Sequence, residues 1–190
     1  MATSSVKAED SSPIFFWREY GDKYGFLSQW YDSPFHTDDS AVIYRTAEQY
    51  MMHQKAVLFS DHEVAAQILK TTAPKEQKAL GRQVRNFTQD VWEANRERIV
   101  EEGSYFKFKY GKDEGDGKGD GIGLRAKLLG TGERKIVEAS PLDRVWGVGY
   151  GAKNAEKRRK DWGLNLLGKA LERARDRLRA EQEQTDENES

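Results

Sequence analysis

The sequence has 190 residues, with 31 Lys and Arg against 32 Asp and Glu, and it contains no cysteine. That length fits one domain with a core of its own, and the balanced charge gives no overall field that would attract nucleic acid or an anionic membrane. The absence of cysteine excludes disulfides, thiolate nucleophiles and cysteine-ligated zinc, and the three histidines follow no ligand spacing, so we expect no metal site.

No segment resembles a targeting or membrane signal. The first residues carry two acids and no apolar core, and no run of about 18 apolar residues occurs. We therefore expect a soluble, intracellular protein of the cytoplasm, with the nucleus left open, and no membrane partner. Residues 1–13 are small and Ser-rich, which predicts a disordered tail.

Two short segments are predicted to be strands or extended loops. Residues 25–35 alternate apolar and polar positions until Ser33 and Pro34 break the pattern, and residues 41–44 are short and β-prone. Together they predict a small sheet ahead of the first helix.

The helix that follows carries an unusual set of functional groups. Thr46 and Gln49 have the spacing of a capping box, which predicts a helix start and places Glu48 in the first turn. At about 100° per residue, Glu48, Met52 and Lys55 share one face, with the two charges about 10 Å apart along the axis. Two interpretations follow. Glu48 is a carboxylate favoured by the helix dipole and Lys55 a solvated amine, or the two flank one site.

Two shorter helices are predicted next. Ser60 and Glu63 form a second capping box, which predicts a helix to about residue 70. Pro74 suits the first turn of a third helix, which is predicted to end near Gly81.

A longer helix is predicted over residues 89–102, capped by Thr88 and ended by Gly103. Trp92 lies on the inner stripe of this helix. Spacing alone favours a core role for Trp92 over a role in a site.

The segment 111–123 has six glycines among charged residues and is predicted to be a flexible insertion. Its acids lack the spacing of a calcium loop, so a calcium site is not predicted. A short helix over residues 125–129 and a strand over residues 136–139 follow, and then a turn that presents Asp143 and Trp146.

The last part of the chain combines charge with one clear helical pattern. The basic run 157–160 fits a solvated loop better than a phosphate contact. Leucines from Leu164 to Leu178 recur at helical spacing and predict an amphipathic helix. The acidic residues 180–190 are predicted to be a second disordered tail.

Five motifs occur in one order along the chain: GFLSQWYDSPF, TAEQYMMHQKA, the helix around Trp92, EASPLDRVWGVG and GLNLLGKALERAR. With these motifs the sequence resembles the NADAR family, also described as YbiA-like proteins, over residues 15–175. The resemblance implies a single domain over residues 14–179 that is mainly α-helical with a few short β-strands, and an N-glycosidase activity without a cofactor. Members of the family hydrolyse early riboflavin-pathway intermediates or remove ADP-ribose from guanine.

The resemblance also implies a set of site residues, carried over motif by motif. The catalytic candidates are Glu48, Lys55, Trp92 and Asp143. The substrate-binding candidates are Ser28, Trp30, Tyr44, Arg45, Trp146 and Asn165. Two departures bear on substrate choice, because Gln29 stands where many members have Asn and the glycine-rich insertion is long.

These residue types suit cleavage of a C–N bond at an anomeric carbon. The leaving base needs a proton and the ribose gains positive charge. Carboxylates such as Glu48 and Asp143 can protonate the base, orient water or stabilise the cation, and the indole of Trp92 can stack on the base or lie near the cation. Lys55 could hold a phosphate as an ammonium, or attack C1′ as a free amine and form an imine, and the sequence leaves both roles open.

The sequence therefore predicts a metal-independent N-glycosidase that acts on a nucleotide-like N-riboside, with a small phosphorylated riboflavin intermediate as the favoured substrate. Two alternatives stand beside it. One is removal of ADP-ribose from modified guanine in nucleic acid or nucleotides. The other is a non-catalytic module that binds ADP-ribose or another NAD metabolite. The oligomeric state is left open.

Overall fold

The computed structural model of the chain describes residues 11–39, 41–113 and 122–188. Within these ranges it has two strands, seven α-helices and two short 3-10 helices. Their bounds are β1 Ile14–Phe16, a 3-10 helix Gly25–Leu27, α1 Ala47–Leu58, α2 His62–Lys70, α3 Pro74–Gly81, α4 Gln89–Tyr110, α5 Leu124–Leu129, β2 Ile136–Glu138, α6 Ala152–Ala155, a 3-10 helix Glu156–Asp161 and α7 Leu166–Asn188. The predicted fold, a mainly α-helical single domain with a few short strands, is confirmed.

Two long helices form the frame of the fold. α4 and α7 pack along each other, α1 packs on α2, α3 and α4, and α7 also supports β2. β1 and β2 pair in parallel, with Phe15 opposite Val137. Gly168 lets α7 approach the sheet closely, because a Cβ at that position would lie 2.1 Å from the carbonyl oxygen of Ile136.

The starts of α1 and α3, at Thr46 and Pro74, agree with the prediction. α2 differs, because its N-cap is Asp61 and not Ser60. Asp61 Oδ1 accepts a hydrogen bond from the Val64 N–H (3.3 Å). Ser60 has a left-handed φ of 56° and belongs to the turn between α1 and α2.

α4 extends to Tyr110, so the prediction that Gly103 ends this helix is wrong. A Cβ at position 103 would lie 2.6 Å from Cδ1 of Tyr50. The glycine therefore admits the Tyr50 ring between α1 and α4, and the helix continues past it. The extension brings Lys107 into the interior.

The small sheet forms elsewhere than predicted. The two segments predicted as strands meet at one antiparallel bridge, between Phe35 and Tyr44. The carbonyl oxygens of Phe26 and Ser28 in the first segment accept hydrogen bonds from Lys107 Nζ, at 2.7 Å each. This segment begins with the 3-10 helix Gly25–Leu27 and not with a strand, and the pairing of β1 with β2 supplies the sheet.

α7 continues to Asn188, into the residues that were predicted to be a disordered acidic tail. Glu181 gives a physical reason, because it accepts a hydrogen bond from the Tyr105 hydroxyl (2.5 Å) and lies 3.6 Å from Arg177. Most of the predicted tail 1–13 and of the insertion 111–123 lies outside the described residues. None of the described helices is long and apolar enough to span a membrane.

Candidate active site

A cavity of about 460 Å³ opens beside the start of α1, in the size range of small-molecule sites. Its walls are formed by the segments after β1, by α1 and α3, by β2 and the loop after it, and by one residue each of α4 and α7. The lining residues are Trp17, Arg18, Glu19, Tyr20, Ser28, Gln29, Trp30, Glu48, Met51, Met52, Lys78, Val100, Glu138, Ser140, Asp143, Trp146 and Leu167. Acids, a lysine and several aromatic rings therefore line one space.

Three polar atoms of this wall are buried without a hydrogen-bond partner in the described part of the chain: Gln29 Nε2, Glu48 Oε1 and Glu138 Oε2. Gln29 and Glu48 are only 9% and 4% exposed. Buried polar atoms of native proteins are nearly always paired, because leaving one unpaired costs about 1–3 kcal/mol. Three such atoms beside one cavity mark it as the candidate site for a polar ligand.

The start of α1 fixes the position of Glu48. Thr46 Oγ1 accepts a hydrogen bond from the Gln49 N–H (3.1 Å), which is one half of the predicted capping box. The Gln49 side chain accepts from the N–H of Arg45 (2.7 Å), one residue before the cap. The N–H of Glu48 itself donates to the carbonyl of Gln29 (3.0 Å), so the helix start and the neighbouring cavity wall are tied together.

Burial has the largest effect on the pKa values of two acids in the cavity, the buried Glu48 and the half-buried Glu138. It raises the pKa of Glu48 to about 7, while Lys78, a hydrogen bond with Trp30 and the charge of Arg82 act in the opposite direction. Burial raises the pKa of Glu138 to about 8, and the negative charges of Asp143 and Glu48 add to the rise. Both acids therefore hold a proton to higher pH than a carboxyl in water does, and near neutral pH the pair retains a proton.

Asp143 shapes the loop after β2. Its Oδ1 accepts hydrogen bonds from the N–H groups of Val145 and Trp146, both at 2.8 Å, and this turn places Trp146 against the cavity. Within the described residues, no group of three or more His, Asp or Glu side chains is arranged to hold a metal ion.

Asn165 lies behind the cavity wall. Its Oδ1 accepts from the N–H of Glu138 (3.0 Å) and its Nδ2 donates to the carbonyl of Ile136 (2.9 Å), so the side chain extends β2 as a neighbouring strand would. The carbonyl of Glu138 accepts from the Val148 N–H (3.0 Å). Both backbone groups of Glu138 are thereby fixed, and Asn165 has a positioning role.

The structure brings together half of the residues that the sequence suggested for the site. Those that line the cavity are Ser28, Trp30, Glu48, Asp143 and Trp146. Those that lie outside its lining are Tyr44, Arg45, Lys55, Trp92 and Asn165. Tyr44 is in the core, 3.1 Å from His53 Nδ1, and Arg45 forms an ion pair with Asp32 (2.6 Å).

Lys55 does share a helix face with Glu48, but the cavity ends before it. The end of α3 packs on Met52, since a Cβ at Gly81 would lie 2.1 Å from the Met52 sulfur. Lys55 Nζ donates to the Gly81 carbonyl (2.8 Å) and lies 5.5 Å from the Trp92 ring centroid. Burial and the charge of Arg82 lower the pKa of Lys55, yet its amine reaches a backbone carbonyl and an indole, not the cavity.

The functional groups of the lining that were not predicted from the sequence include Lys78, Glu138 and the rim residues Trp17, Arg18 and Tyr20, and Gln29 was noted only as a departure. The sequence contained one indication that Glu138 is functional, since it is an acid directly after two apolar residues of a strand. The sequence contained no such indication for Lys78, because the packing of α3 on α1 and α2 brings it to the site.

Known proteins are similar to this chain over most of its length. The family model of the NADAR domain matches residues 15–179. An N-glycosidase of Acanthamoeba polyphaga mimivirus is 38% identical over 155 residues, which cover 79% of this chain and 85% of that protein. An N-glycosidase of Nostoc punctiforme is 32% identical over 167 residues, which cover 87% and 92%. The NMR structure of the Escherichia coli protein YbiA is similar with a TM-score of 0.66 and 25% identity, covering 92% of this chain and 89% of that one.

Proposed function

The chain belongs to the NADAR domain family, and from that premise we propose that it hydrolyses the N-glycosidic bond of a nucleotide-like N-riboside in the cavity beside α1. Relatives of two different organisms are N-glycosidases, and so is this chain. The unpartnered polar atoms of Gln29, Glu48 and Glu138 carry the assignment of the reaction to this cavity.

The two acids of the cavity divide the proton transfers. Glu138 is the proposed general acid, because burial and the negative charges of Asp143 and Glu48 raise its pKa and favour the protonated form that can donate to the leaving base. Glu48, ionised beside Lys78, can orient the attacking water and accept its proton. The C–N bond breaks, the water oxygen bonds to C1′, and the base leaves with the proton of Glu138. Exchange with solvent then restores both acids.

The remaining wall suits a planar base and an anionic group. The indoles of Trp30 and Trp146 line the cavity and can stack on a base. Lys78 Nζ lies 6.0 Å from the Trp30 ring centroid, where an ammonium can hold a phosphate or a ribose hydroxyl. A small phosphorylated N-riboside of the riboflavin pathway fits this combination and is the favoured substrate.

The rim favours the second candidate, an ADP-ribosyl group on guanine. Arg18 Cζ lies 4.3 Å from the Trp17 ring centroid, and Arg18 donates a hydrogen bond to the Tyr20 hydroxyl (3.0 Å). Trp17 and Tyr20 are 41% and 61% exposed. An exposed guanidinium between aromatic rings suits an adenine and a diphosphate, which an ADP-ribosyl substrate has and a small riboflavin intermediate lacks.

A substrate panel tests the proposed function. The wild-type protein is incubated with a phosphorylated pyrimidine N-riboside and with ADP-ribosylated guanine, as a nucleotide and in single-stranded DNA, and the products are separated by chromatography. We expect free base from the first substrate. Release of ADP-ribose from the others would favour the second candidate, and binding without turnover of any substrate would contradict the proposal and favour a non-catalytic module.

Lys78 and Lys55 are expected to respond differently to loss of their amines. Lys78→Met should raise KM about 10-fold or more, because a hydrogen bond to a charged group contributes about 1.5–3 kcal/mol. Lys55→Met, the matched control on the neighbouring helix, should leave KM near the wild-type value, because its amine binds the Gly81 carbonyl. Inactivation by Lys55→Met, together with a borohydride-trapped adduct on Lys55 in the wild type, would instead support an imine at Lys55.

A further inference from the structure

Lys107 of α4 is buried in the interior, with an exposed fraction of 1%. Its Nζ donates to the carbonyl oxygens of Phe26 and Ser28, each at 2.7 Å. Moving a lysine amine out of water is unfavourable unless its hydrogens are bonded, so an interior lysine needs such partners. Both partners belong to a single short stretch of backbone.

That stretch, residues 26–30, is also a wall of the cavity. Ser28, Gln29 and Trp30 line the space, and Gln29 contributes one of the unpartnered polar atoms. On its other side the stretch is held by the hydrogen bond from the Glu48 N–H to the Gln29 carbonyl. Lys107 and the start of α1 therefore both form hydrogen bonds with the backbone of the same wall.

We propose that Lys107 is a positioning residue, which holds the backbone of residues 26–30 so that Gln29 and Trp30 meet the substrate beside Glu48. The proposal rests on the proposed function for its consequence in catalysis. The hydrogen bonds themselves are independent of the reaction.

The surroundings of Lys107 let it keep this role on both sides of neutral pH. Burial lowers the pKa of its amine to about 7, and the negative charge of Asp113 opposes that change. Asp113 in turn is bonded by the Tyr31 hydroxyl and by Lys127 (2.5 Å). A neutral amine still has two N–H donors, one for each carbonyl, so titration of Lys107 does not release the wall.

Lys107→Met tests the proposal, because methionine has a similar length and no donor. Arg175→Met is the matched control, since Arg175 is 3% exposed and binds Thr131 Oγ1 (3.0 Å) and the Arg134 carbonyl (2.9 Å) away from the cavity. Amide hydrogen exchange over residues 26–31, kcat and KM are measured for both variants and the wild type. Lys107→Gln, which keeps a donor, is carried as a second variant in case the methionine variant does not fold.

Lys107→Met should speed exchange in residues 26–31 and lower kcat about 10²-fold, the effect of misplacing a catalytic wall by about 1 Å. Arg175→Met should lower the melting temperature without either change, and Lys107→Gln should fall between Lys107→Met and the wild type. Unchanged exchange and kcat in both Lys107 variants would overturn the proposal. If the wild type shows no turnover, the proposed function fails, and the exchange data still decide whether Lys107 holds the wall.

Discussion

Glu48→Gln is expected to fold and to lose turnover by about 10²-fold or more, the contribution typical of a general acid–base group. The amide keeps the size of the side chain but cannot accept a proton from water. The reaction needs a group that accepts this proton, and Glu48 is placed for it because it is buried in the cavity with an unpartnered oxygen. The rate of base release, measured under saturating substrate, reports the loss as a fall in kcat.

Glu63→Gln is the matched control, because Glu63 is the first-turn acid of α2 as Glu48 is of α1. If Glu48 were only a carboxylate favoured by the helix dipole, both changes would act alike and leave kcat nearly unchanged.

Glu48→Gln also has a predicted effect on stability. The folded-state pKa of about 7 is above the usual 4.5, so the unfolded chain loses this proton at a lower pH than the folded chain does. The free energy of unfolding therefore decreases as the pH rises from 4.5 to about 7. Glu48→Gln should therefore melt higher than the wild type at pH 7 and above.

Glu138→Gln is expected to lower kcat/KM by about 10²-fold or more and to change its pH dependence. In the wild type, activity should rise as Glu48 ionises near pH 7 and fall as Glu138 loses its proton near pH 8. The two acids are coupled, so these limbs belong to the pair. The amide of the variant does not titrate, and the alkaline limb should disappear from its profile.

Glu172→Gln controls for damage to β2, because Glu172 Oε1 accepts a hydrogen bond from the Ile136 N–H (2.7 Å) outside the cavity lining. This variant should keep the bell-shaped profile. An alkaline limb that persists in Glu138→Gln would show that another group holds the proton, and the assignment of the general acid would be wrong.

The sequence predicted the parts of the site that local rules determine. Thr46 and Gln49 identified the start of α1, and the turn around Asp143 followed from its residues. Helical spacing also placed Lys55 correctly on the face of Glu48. Its distance from the cavity depends on the packing of Gly81 against Met52, a contact between two helices that no periodicity reports.

The wall of residues 26–30 is a second case in which a sequence pattern did not predict a contact between distant parts of the chain. Alternation predicted a strand there, because the pattern reports which side chains are buried and not which groups bond the backbone. Lys107, which takes two of those carbonyls, is far away in sequence and follows a glycine that looked like the end of its helix. Gly103 instead accommodates the ring of Tyr50. Because Tyr50 belongs to α1, the sequence of α4 alone does not predict this role of Gly103.

Base release and substrate binding, measured side by side at neutral pH for the wild type, Glu48→Gln and Glu138→Gln, test the central claim most directly. The substrate is the one that the panel selects, binding is followed by calorimetry, and free base by chromatography. We predict that all three proteins bind it and that only the wild type releases base at an appreciable rate. Release at the wild-type rate by both acid variants would contradict the assignment of the reaction to this cavity.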